Sequence, residues 1–332
     1  MNAESNATGN RVLITGATGF LGKAVVRVAN ERGLTIRTTG RSPKPTDLGI
    51  EYVQADLLSD DLSVLVDGVD IVLHLAGLAH VFDKSKSEHQ FFAVNADATG
   101  RLAAAAADAG VRHFVLASSV AVYGGNVNGP CPESAPCHPL SAYAKSKLRG
   151  EQLATEVASD LMAITILRLA TLYGPGDPGN VARLLSSINR GKFIWIGKGT
   201  NRKSLVYRDD AAHACIEAAL AQPEAPATYN VSAPPESMRS IVEGLAHELE
   251  KPASRIRIPT WLATSSSSIA AALCLNRGPA VSIKRMIKTW LADDVYPADL
   301  IESELGWRGQ TPLAAGLASE VEWYQNTQST KS

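Results

Sequence analysis

Cysteine is scarce in this 332-residue chain, which contains only Cys131, Cys137, Cys215 and Cys274. Four cysteines this scattered are too few for a disulfide framework in a chain of this length. His138 adjoins Cys137, but no His/Cys pattern has the spacing of a zinc site. We therefore expect free thiols, no metal and a protein of the reducing cytoplasm.

Long apolar runs and an excess of charge of one sign are also missing. The formal net charge is −1 without long basic runs, so nothing indicates a nucleic-acid surface. The most apolar late stretch, residues 269–275, is far shorter than the ~20 residues that span a bilayer, and it predicts a buried or surface-docking helix. Residues 1–10 are polar, lack the apolar centre of a secretory signal, and predict a short disordered tail.

An alternation of short β-rich runs with helical stretches extends from residue 11 to about residue 170. The β-rich runs are residues 11–15, 34–39, 51–54, 71–75, 113–117 and 163–167. Helical patterns over residues 20–31 and 91–109 end at Gly33 and Gly110, as helices often do. The pattern predicts an α/β fold with a Rossmann-type, doubly wound parallel sheet.

The second half of the chain is less regular. Residues 174–179, Gly-Pro-Gly-Asp-Pro-Gly, are typical of a loop that leaves the sheet. We expect a dinucleotide-binding Rossmann domain over residues 10–170, to which residues 202–232 return. Residues 171–201 and 233–330 would form a smaller C-terminal α/β domain that binds substrate, because ligands of open α/β sheets bind outside the carboxyl ends of the strands.

Three glycines, Gly16, Gly19 and Gly22, directly follow the apolar run at residues 12–14. Glycines at this spacing allow a tight turn and a close approach of the backbone to a pyrophosphate at the N-terminus of the next helix. This strand–turn–helix context favours dinucleotide binding, although such a turn by itself is not specific.

Tyr143 and Lys147 stand four residues apart, so on a helix their side chains share one face. An ammonium near a phenol favours the ionised phenol, which could then exchange a proton near neutral pH. Such a pair is ordinary on an exposed helix. Together with the glycine turn it predicts redox chemistry.

Motifs throughout the chain resemble those of the extended short-chain dehydrogenase/reductases, and most closely the nucleotide-sugar epimerase/dehydratase/ketoreductase branch. The N-terminal motifs are residues 15–22, 74–77, 118–119 with 122–124, and 143–147 with Glu151. The later ones are Arg168 with residues 173–175, Arg202 with 205–209, 305–307 and 323–324.

The resemblance implies catalytic roles for three residues. Tyr143 would be the acid/base, Lys147 would lower its pKa and hold the nicotinamide ribose, and Ser119 would bond the sugar oxygen. Ser119 is preferred to Ser118 because it stands three residues before Val122; Ser118 would bond backbone at the strand end.

Other side chains would brace the site. Asn95 could be structural or could serve proton traffic, Arg168 would brace the sheet end, and Trp307 and Trp323 would belong to a core or an interface.

The resemblance also implies a cofactor site and favours NADP over NAD. NAD users of the family carry an acid where this chain has Gly40, and the following Arg41 could bond a 2′-phosphate; the alternative is a solvated turn residue. The implied cofactor contacts are Gly16, Thr18, Gly19, Phe20, Leu21, Gly22, Arg41, Asp56, Leu57, Leu75, Ala76, Gly77, Tyr143, Lys147 and Leu169.

The expected substrate is a UDP-linked sugar bound by Ser119, Tyr143, His80, Thr171 and Arg202, with Arg202 on the diphosphate. Thr171 replaces an Asn, and Leu169 a Pro, of similar UDP-hexose epimerases.

The expected reaction is hydride transfer at C4, by a 4-keto reductase or a 4-epimerase of surface-polysaccharide precursor synthesis. Dehydration ranks lowest, because Val120-Ala121 stand where related dehydratases carry Asp-Glu. A non-catalytic NADP-binding sensor or scaffold is the alternative. The resemblance further implies a homodimer through the helices over residues 91–109 and 142–158.

Overall fold

The computed structural model describes residues 10–43, 50–79, 87–125, 129–158, 162–221, 225–264 and 287–329. His80 and the apolar stretch at residues 269–275 lie outside these ranges, so the predictions that concern them are not addressed by the structure. Within the described part of the chain, no helix has both the length and the apolar character needed to cross a membrane.

Thirteen strands are described. In chain order they are β1 Arg11–Thr15, β2 Thr35–Gly40, β3 Glu51–Gln54, β4 Ile71–His74, β5 His113–Ser119, β6 Ala163–Leu169, β7 Thr171–Tyr173, β8 Trp195–Ile196, β9 Arg202–Lys203, β10 Leu205–Tyr207, β11 Ala227–Val231, β12 Glu236–Ser237 and β13 Arg257–Ile258.

Seven of these strands form the central sheet in the order β11-β6-β5-β4-β1-β2-β3. Every neighbouring pair is parallel. The chain leaves β3 at one edge and crosses over to β4 beside β1, so the strand order reverses between β1 and β4. The doubly wound sheet is confirmed, and the reversal marks the crevice where such sheets bind ligands.

The helices run between the strands. They are α1 Phe20–Glu31, α2 Ser63–Val66, α3 Glu88–Phe92, a π-helix Ala93–Asp97, α4 Ala98–Asp108, a 3₁₀-helix Val120–Tyr123, α5 Ala142–Glu156, α6 Asn180–Asn189, α7 Arg208–Leu220, α8 Met238–Glu248, α9 Asp299–Leu305 and α10 Leu313–Ser329.

Apolar side chains cover both faces of the sheet, because successive residues of a buried strand point to opposite faces. Val12 and Ile14 of β1 belong to the core under α1 and α7. Leu13, between them, belongs to the core under α4 and α5. Helices on both faces explain why the strands are apolar throughout.

The helix predicted over residues 91–109 is interrupted. Ala93–Asp97 forms a π-helical turn between α3 and α4, at the point where α5 crosses. A Cβ on Gly150 of α5 would overlap the Asn95 carbonyl oxygen, so glycine allows the two helices this close approach. Periodicity alone did not reveal this turn.

The second half contributes both to the sheet and to a separate core. β11 joins the sheet beside β6, whereas β10 pairs with β7 outside it. A third apolar cluster gathers Leu185 of α6, Leu245 of α8 and Leu317 of α10. This cluster lies in the region predicted to bind substrate.

Candidate functional site

The turn after β1 has the geometry that a closely bound diphosphate requires. Gly16 has a φ of +69°, where glycine is favoured. A Cβ on Gly16 would lie 2.7 Å from the Ala76 amide nitrogen, and one on Gly22 would overlap the Gly16 carbonyl oxygen. A side chain at either position would fill the space that a diphosphate needs. The glycines therefore fit a dinucleotide.

Helix α1 starts at this turn with its N-terminus open. Gly19 is the N-cap residue, no side chain caps the helix, and the first turn contains no acidic residue. Its backbone N–H groups can therefore serve an anion. Thr18 is exposed and Phe20 half-buried at the crevice, whereas Leu21 is buried.

The end of β4 forms the opposite wall. The Ala76 amide donates to Thr15 Oγ1 at 3.1 Å, which holds the β4 loop against β1. A Cβ on Gly77 would lie 3.0 Å from Lys147 Nζ and 3.2 Å from Asn95 Oδ1. The structure thus brings Leu75, Ala76 and Gly77 between the glycine turn and α5.

Tyr143 and Ser119 meet where β5 ends and α5 begins. Burial has the largest effect on the pKa of Tyr143 and raises it, whereas the Ser119 hydroxyl lowers it. The Phe91 ring packs edge-on against the Tyr143 ring, with centroids 6.3 Å apart. Two predicted catalytic hydroxyls are therefore adjacent.

Lys147 is buried on the same helix face, and its Nζ donates to the Ala117 carbonyl at 2.8 Å. Burial lowers the pKa of Lys147 to about 8, against the opposing effect of Glu151. We expected Lys147 to lower the pKa of Tyr143. In the structure burial has the largest effect on the Tyr143 pKa and raises it.

The side-chain amide of Asn95 bonds to the loop after β4 and to α5, and so connects two parts of the site. Its Oδ1 accepts from the Leu78 amide at 2.7 Å, and its Nδ2 donates to the Leu78 carbonyl and to Ser146 Oγ, both at 3.0 Å. Ser146 in turn donates to the Tyr143 carbonyl. Of the two predicted roles, these bonds support the structural one.

A buried chain of hydrogen bonds, which sequence reasoning missed, links the two walls through His74. Thr15 Oγ1 lies 2.7 Å from His74 Nδ1, and Thr99 Oγ1 lies 3.0 Å from His74 Nε2. Thr99 donates onward to the Asn95 carbonyl. Burial lowers the pKa of His74 to about 3, so the ring is neutral, and these partners are consistent with a proton on Nε2.

A buried ion pair lies one helical turn beyond Lys147. Arg168 Nη2 contacts Glu151 Oε2 at 2.7 Å, so Arg168 does brace the end of the sheet. The Ser118 hydroxyl donates to the Glu151 carboxylate. Ser118 was expected to bond backbone, and its partner is a side chain because Glu151 of α5 reaches β5.

Arg41 directly follows β2 and is hydrogen-bonded to the last residue of β3. Arg41 is exposed, and its carbonyl accepts from Gln54 Nε2 at 2.8 Å. A Cβ on Gly40 would lie 2.9 Å from the Tyr52 hydroxyl, so an acidic side chain would displace Tyr52. The Asp56 carboxylate accepts from the Leu58 amide, and the Leu57 carbonyl from Arg101.

Two of the expected substrate residues, Thr171 and Arg202, lie in the second half of the chain. Half-buried Thr171 starts β7, just after Leu169, an expected cofactor contact, ends β6. Arg202 of β9 is exposed, and its Nη2 donates weakly to the Pro235 carbonyl at 3.4 Å. None of their contacts places them on Tyr143, so their predicted roles remain predictions.

The loop at residues 174–179 is tied to the glycine turn by Arg208, which sequence reasoning had left unassigned. Arg208 Nη1 donates to the Pro175 carbonyl at 2.6 Å, and its guanidinium lies 5.7 Å from the centroid of the Phe20 ring. A Cβ on Gly176 would lie 3.8 Å from that ring. The loop therefore covers one end of the crevice.

Comparison with known proteins agrees with this geometry. The model of the NAD dependent epimerase/dehydratase family matches residues 12–232. The UDP-glucose 4-epimerase of Vibrio cholerae is 29% identical over 75% of this chain and 79% of its own. An Escherichia coli O157:H7 protein, N-acetyl-alpha-D-glucosaminyl-diphospho-ditrans,octacis-undecaprenol 4-epimerase, is 34% identical over 60% of each chain.

A solved structure extends the similarity to nearly the whole fold. MoeE5 in complex with UDP-glucose and NAD superimposes with a TM-score of 0.77 at 26% identity, covering 96% of this chain and all of the other. The site thus consists of a glycine turn, an open helix N-terminus and two adjacent hydroxyls beside a buried lysine.

Proposed function

Because this chain belongs to the NAD dependent epimerase/dehydratase family and is therefore an enzyme, we propose that it transfers hydride at C4 of a UDP-linked sugar. It acts as a 4-keto nucleotide-sugar reductase or as a 4-epimerase. The observation that carries the proposal is the placement of the Tyr143 and Ser119 hydroxyls next to each other beside the buried Lys147. V. cholerae UDP-glucose 4-epimerase and MoeE5 with bound UDP-glucose support the substrate class.

The two hydroxyls would handle the proton that accompanies hydride transfer. A bound nicotinamide accepts or supplies the hydride, and the protein positions it. When C4 loses hydride, its hydroxyl proton must leave, and the ionised phenol of Tyr143 takes it; in reduction the neutral phenol of Tyr143 returns it. Ser119 holds the same sugar oxygen, and Lys147 holds the nicotinamide ribose.

The glycine turn and the ends of β4 and β6 would bind the dinucleotide. Gly16, Gly19 and Gly22 fit its diphosphate because they leave the cradle open. Further contacts would come from Thr18, Phe20, the Leu21 backbone, Asp56, Leu57, Leu75, Ala76, Gly77 and Leu169.

We favour NADP over NAD. The Tyr52 hydroxyl stands where a carboxylate at position 40 would have to fit, and the neighbouring Arg41 is exposed. An exposed arginine next to a position without an acidic side chain suits a 2′-phosphate.

Dehydration is less well supported as the reaction than hydride transfer without elimination. Elimination of a hydroxyl requires an acid and a base at the site, but Val120 is buried and Ala121 carries no functional group. The sensor alternative is weaker too, since simple binding does not require the adjacent hydroxyls of Tyr143 and Ser119.

We also propose that residues 171–201 and 233–330 form the substrate domain, with Thr171 and Arg202 contacting the nucleotide sugar. Arg202 is exposed and makes only a weak bond to a neutral carbonyl, so its donors are available to a diphosphate. A role in polysaccharide precursor synthesis, a cytoplasmic location and a homodimer through α4 and α5 complete the proposal.

Incubation with defined substrates tests the reaction. With UDP-glucose or UDP-N-acetylglucosamine and no added cofactor, C4 inversion supports the epimerase. Oxidation of NADPH only when a UDP-4-keto sugar is present supports the reductase. Tight NADP binding without turnover on either substrate class would favour the sensor and refute the proposal.

A further inference from the structure

Four large, exposed apolar side chains lie along one edge of the second half. Ile194 is 42% exposed and Ile256 is 62% exposed, and they immediately precede the paired strands β8 and β13 in register. Trp261 is 69% exposed and Leu262 is 44% exposed, in the helical residues that follow β13. A tryptophan this exposed among other apolar residues needs a partner.

The helical residues are anchored beside the strands. Parallel pairing joins β8 to β13, with the Trp195 amide donating to the Ile256 carbonyl at 3.1 Å. A Cβ on Gly197 would lie 3.0 Å from Thr260 Oγ1. The four side chains therefore form one surface, which we call the Trp261 surface.

The sequence segment that contains Ile256, Trp261 and Leu262 has charge of one sign, and residues 265–286 of this segment lie outside the described residues. Between Glu250 and Asp293 the sequence has seven basic and no acidic residues, so the rest of a chain of net charge −1 carries −1 − 7 = −8. The seven are Lys251, Arg255, Arg257, Arg277, Lys284, Arg285 and Lys288.

The neighbouring segment, residues 190–200, repeats this pattern with Arg190, Lys192 and Lys198 and no acid. Lys192, Lys198, Arg255 and Arg257 are all exposed. Among the described residues, none of these four forms an ion pair with a carboxylate. Their positive charges are therefore available to an external partner.

We propose that the Trp261 surface docks the enzyme on an anionic lipid bilayer. Tryptophan prefers the level of the lipid headgroups, and exposed basic residues beside apolar ones are attracted to anionic lipids. The opposite charge of the remaining chain orients the protein with this surface toward the membrane. The inference concerns peripheral binding and does not depend on the proposed reaction.

Co-sedimentation with vesicles tests the proposal on the full chain. One set of vesicles contains equimolar phosphatidylglycerol and phosphatidylcholine, and the other phosphatidylcholine alone. The variant Trp261→Ser is compared with Trp323→Ser, which removes an exposed tryptophan on α10. The double variant Lys192→Gln/Arg255→Gln is compared with the double variant Arg112→Gln/Arg308→Gln, which removes two positive charges elsewhere.

The wild type should bind the anionic vesicles and release them as salt increases. Trp261→Ser should weaken binding by about tenfold or more, through loss of its buried apolar area. The Lys192/Arg255 variant should lose about 25-fold, roughly fivefold for each charge near the surface. Both control variants should bind within about twofold of the wild type, the scatter expected when no contact is lost.

Equal binding of the wild type to both vesicle types, or equal losses in the control variants, would overturn the proposal. So would a dimer that forms without lipid and that Trp261→Ser dissociates, since the surface would then belong to a second copy of the chain. NADP affinity and turnover of a soluble UDP-sugar should be unchanged in Trp261→Ser, which separates this test from that of the proposed function.

Discussion

Two hydroxyl groups held together in a half-buried crevice define the chemistry of this site at the residue scale. The Tyr143 ring packs edge-on against Phe91, and its hydroxyl lies near that of Ser119. Burial raises the pKa of the phenol and lowers that of Lys147 to about 8. Both shifts favour the neutral forms of the two groups.

Replacement of the phenol tests its catalytic role. Tyr143→Phe removes the proton donor while keeping the ring on Phe91, so kcat should fall by roughly 10²- to 10⁴-fold. Steady-state kinetics and equilibrium NADP titration measure the two effects, with NADP affinity expected to remain near wild type. Tyr324→Phe serves as a control with normal turnover, and a normal kcat in Tyr143→Phe would reject the role.

A second prediction at this scale concerns Arg41. Arg41→Ala should weaken NADP binding by about 10- to 100-fold, because a hydrogen bond to a charged group contributes about 1.5–3 kcal/mol. NAD binding should change little, since it lacks the 2′-phosphate. Fluorescence titration with both cofactors decides the matter, with Arg112→Ala as the control. Equal wild-type affinities for NAD and NADP would contradict the assignment.

At the scale of elements, close packing of backbone on backbone shapes the cofactor cradle. The turn between β1 and α1 touches both its own helix and the end of β4. The His74 chain of hydrogen bonds then couples β1 to the π-helix, and Asn95 couples the π-helix to α5. The catalytic hydroxyls and the cradle are therefore placed by one connected set of elements.

A side chain added at Gly22 should weaken NADP binding and lower the free energy of unfolding. In Gly22→Ala the new Cβ overlaps the Gly16 carbonyl oxygen, and overpacking of this kind costs about 1–3 kcal/mol. Urea denaturation should show that loss, and calorimetry should show weaker NADP binding. Gly125→Ala, where a Cβ meets open space, should leave both quantities unchanged. Wild-type NADP affinity in Gly22→Ala would argue against a diphosphate in this turn.

At the scale of the whole molecule, α10 docks the end of the chain onto the loop that covers the crevice. Glu320 of α10 is fully buried, and its carboxylate accepts from the Gly174 amide at 3.1 Å while Oε1 has no partner. Burial, with Asp177 nearby, raises the pKa of Glu320 to about 8. The neutral form of the Glu320 carboxyl is therefore favoured when α10 is packed in place.

This carboxyl predicts a pH-dependent stability. Its pKa is higher in the folded than in the unfolded chain, so between about 4.5 and 8 the folded state binds more protons. The contribution to stability is present below this window and is lost as pH rises through it. Glu320→Gln should reduce the decline in unfolding free energy between pH 5 and pH 8.

Urea unfolding across that pH range measures the effect. Glu322→Gln, an exposed substitution on the same helix, should keep the wild-type pH dependence. If Glu320→Gln also keeps it, Glu320 does not titrate as the structure indicates.

Much of this architecture was predictable from local pattern. Apolar runs and glycine punctuation located the sheet strands and α1, and motif spacing singled out Tyr143, Lys147 and Ser119. The π-helix was not predictable, because it forms where Gly150 of α5 packs against Asn95. The Glu151–Arg168 ion pair and the His74 chain were not predictable either, because their members, up to 59 residues apart in the His74 chain, meet only in the folded chain. The direction of the Tyr143 pKa likewise depends on burial, which spacing does not report.

The sequence by itself determined the parallel sheet, the glycine turn and the family, since each depends on short-range spacing and residue type. Only the tertiary structure decided which side chains share a low-dielectric environment, which hydroxyls touch and where the exposed Trp261 surface lies. Those properties arise from contacts between distant segments, because burial and electrostatic interaction depend on distance in space rather than along the chain.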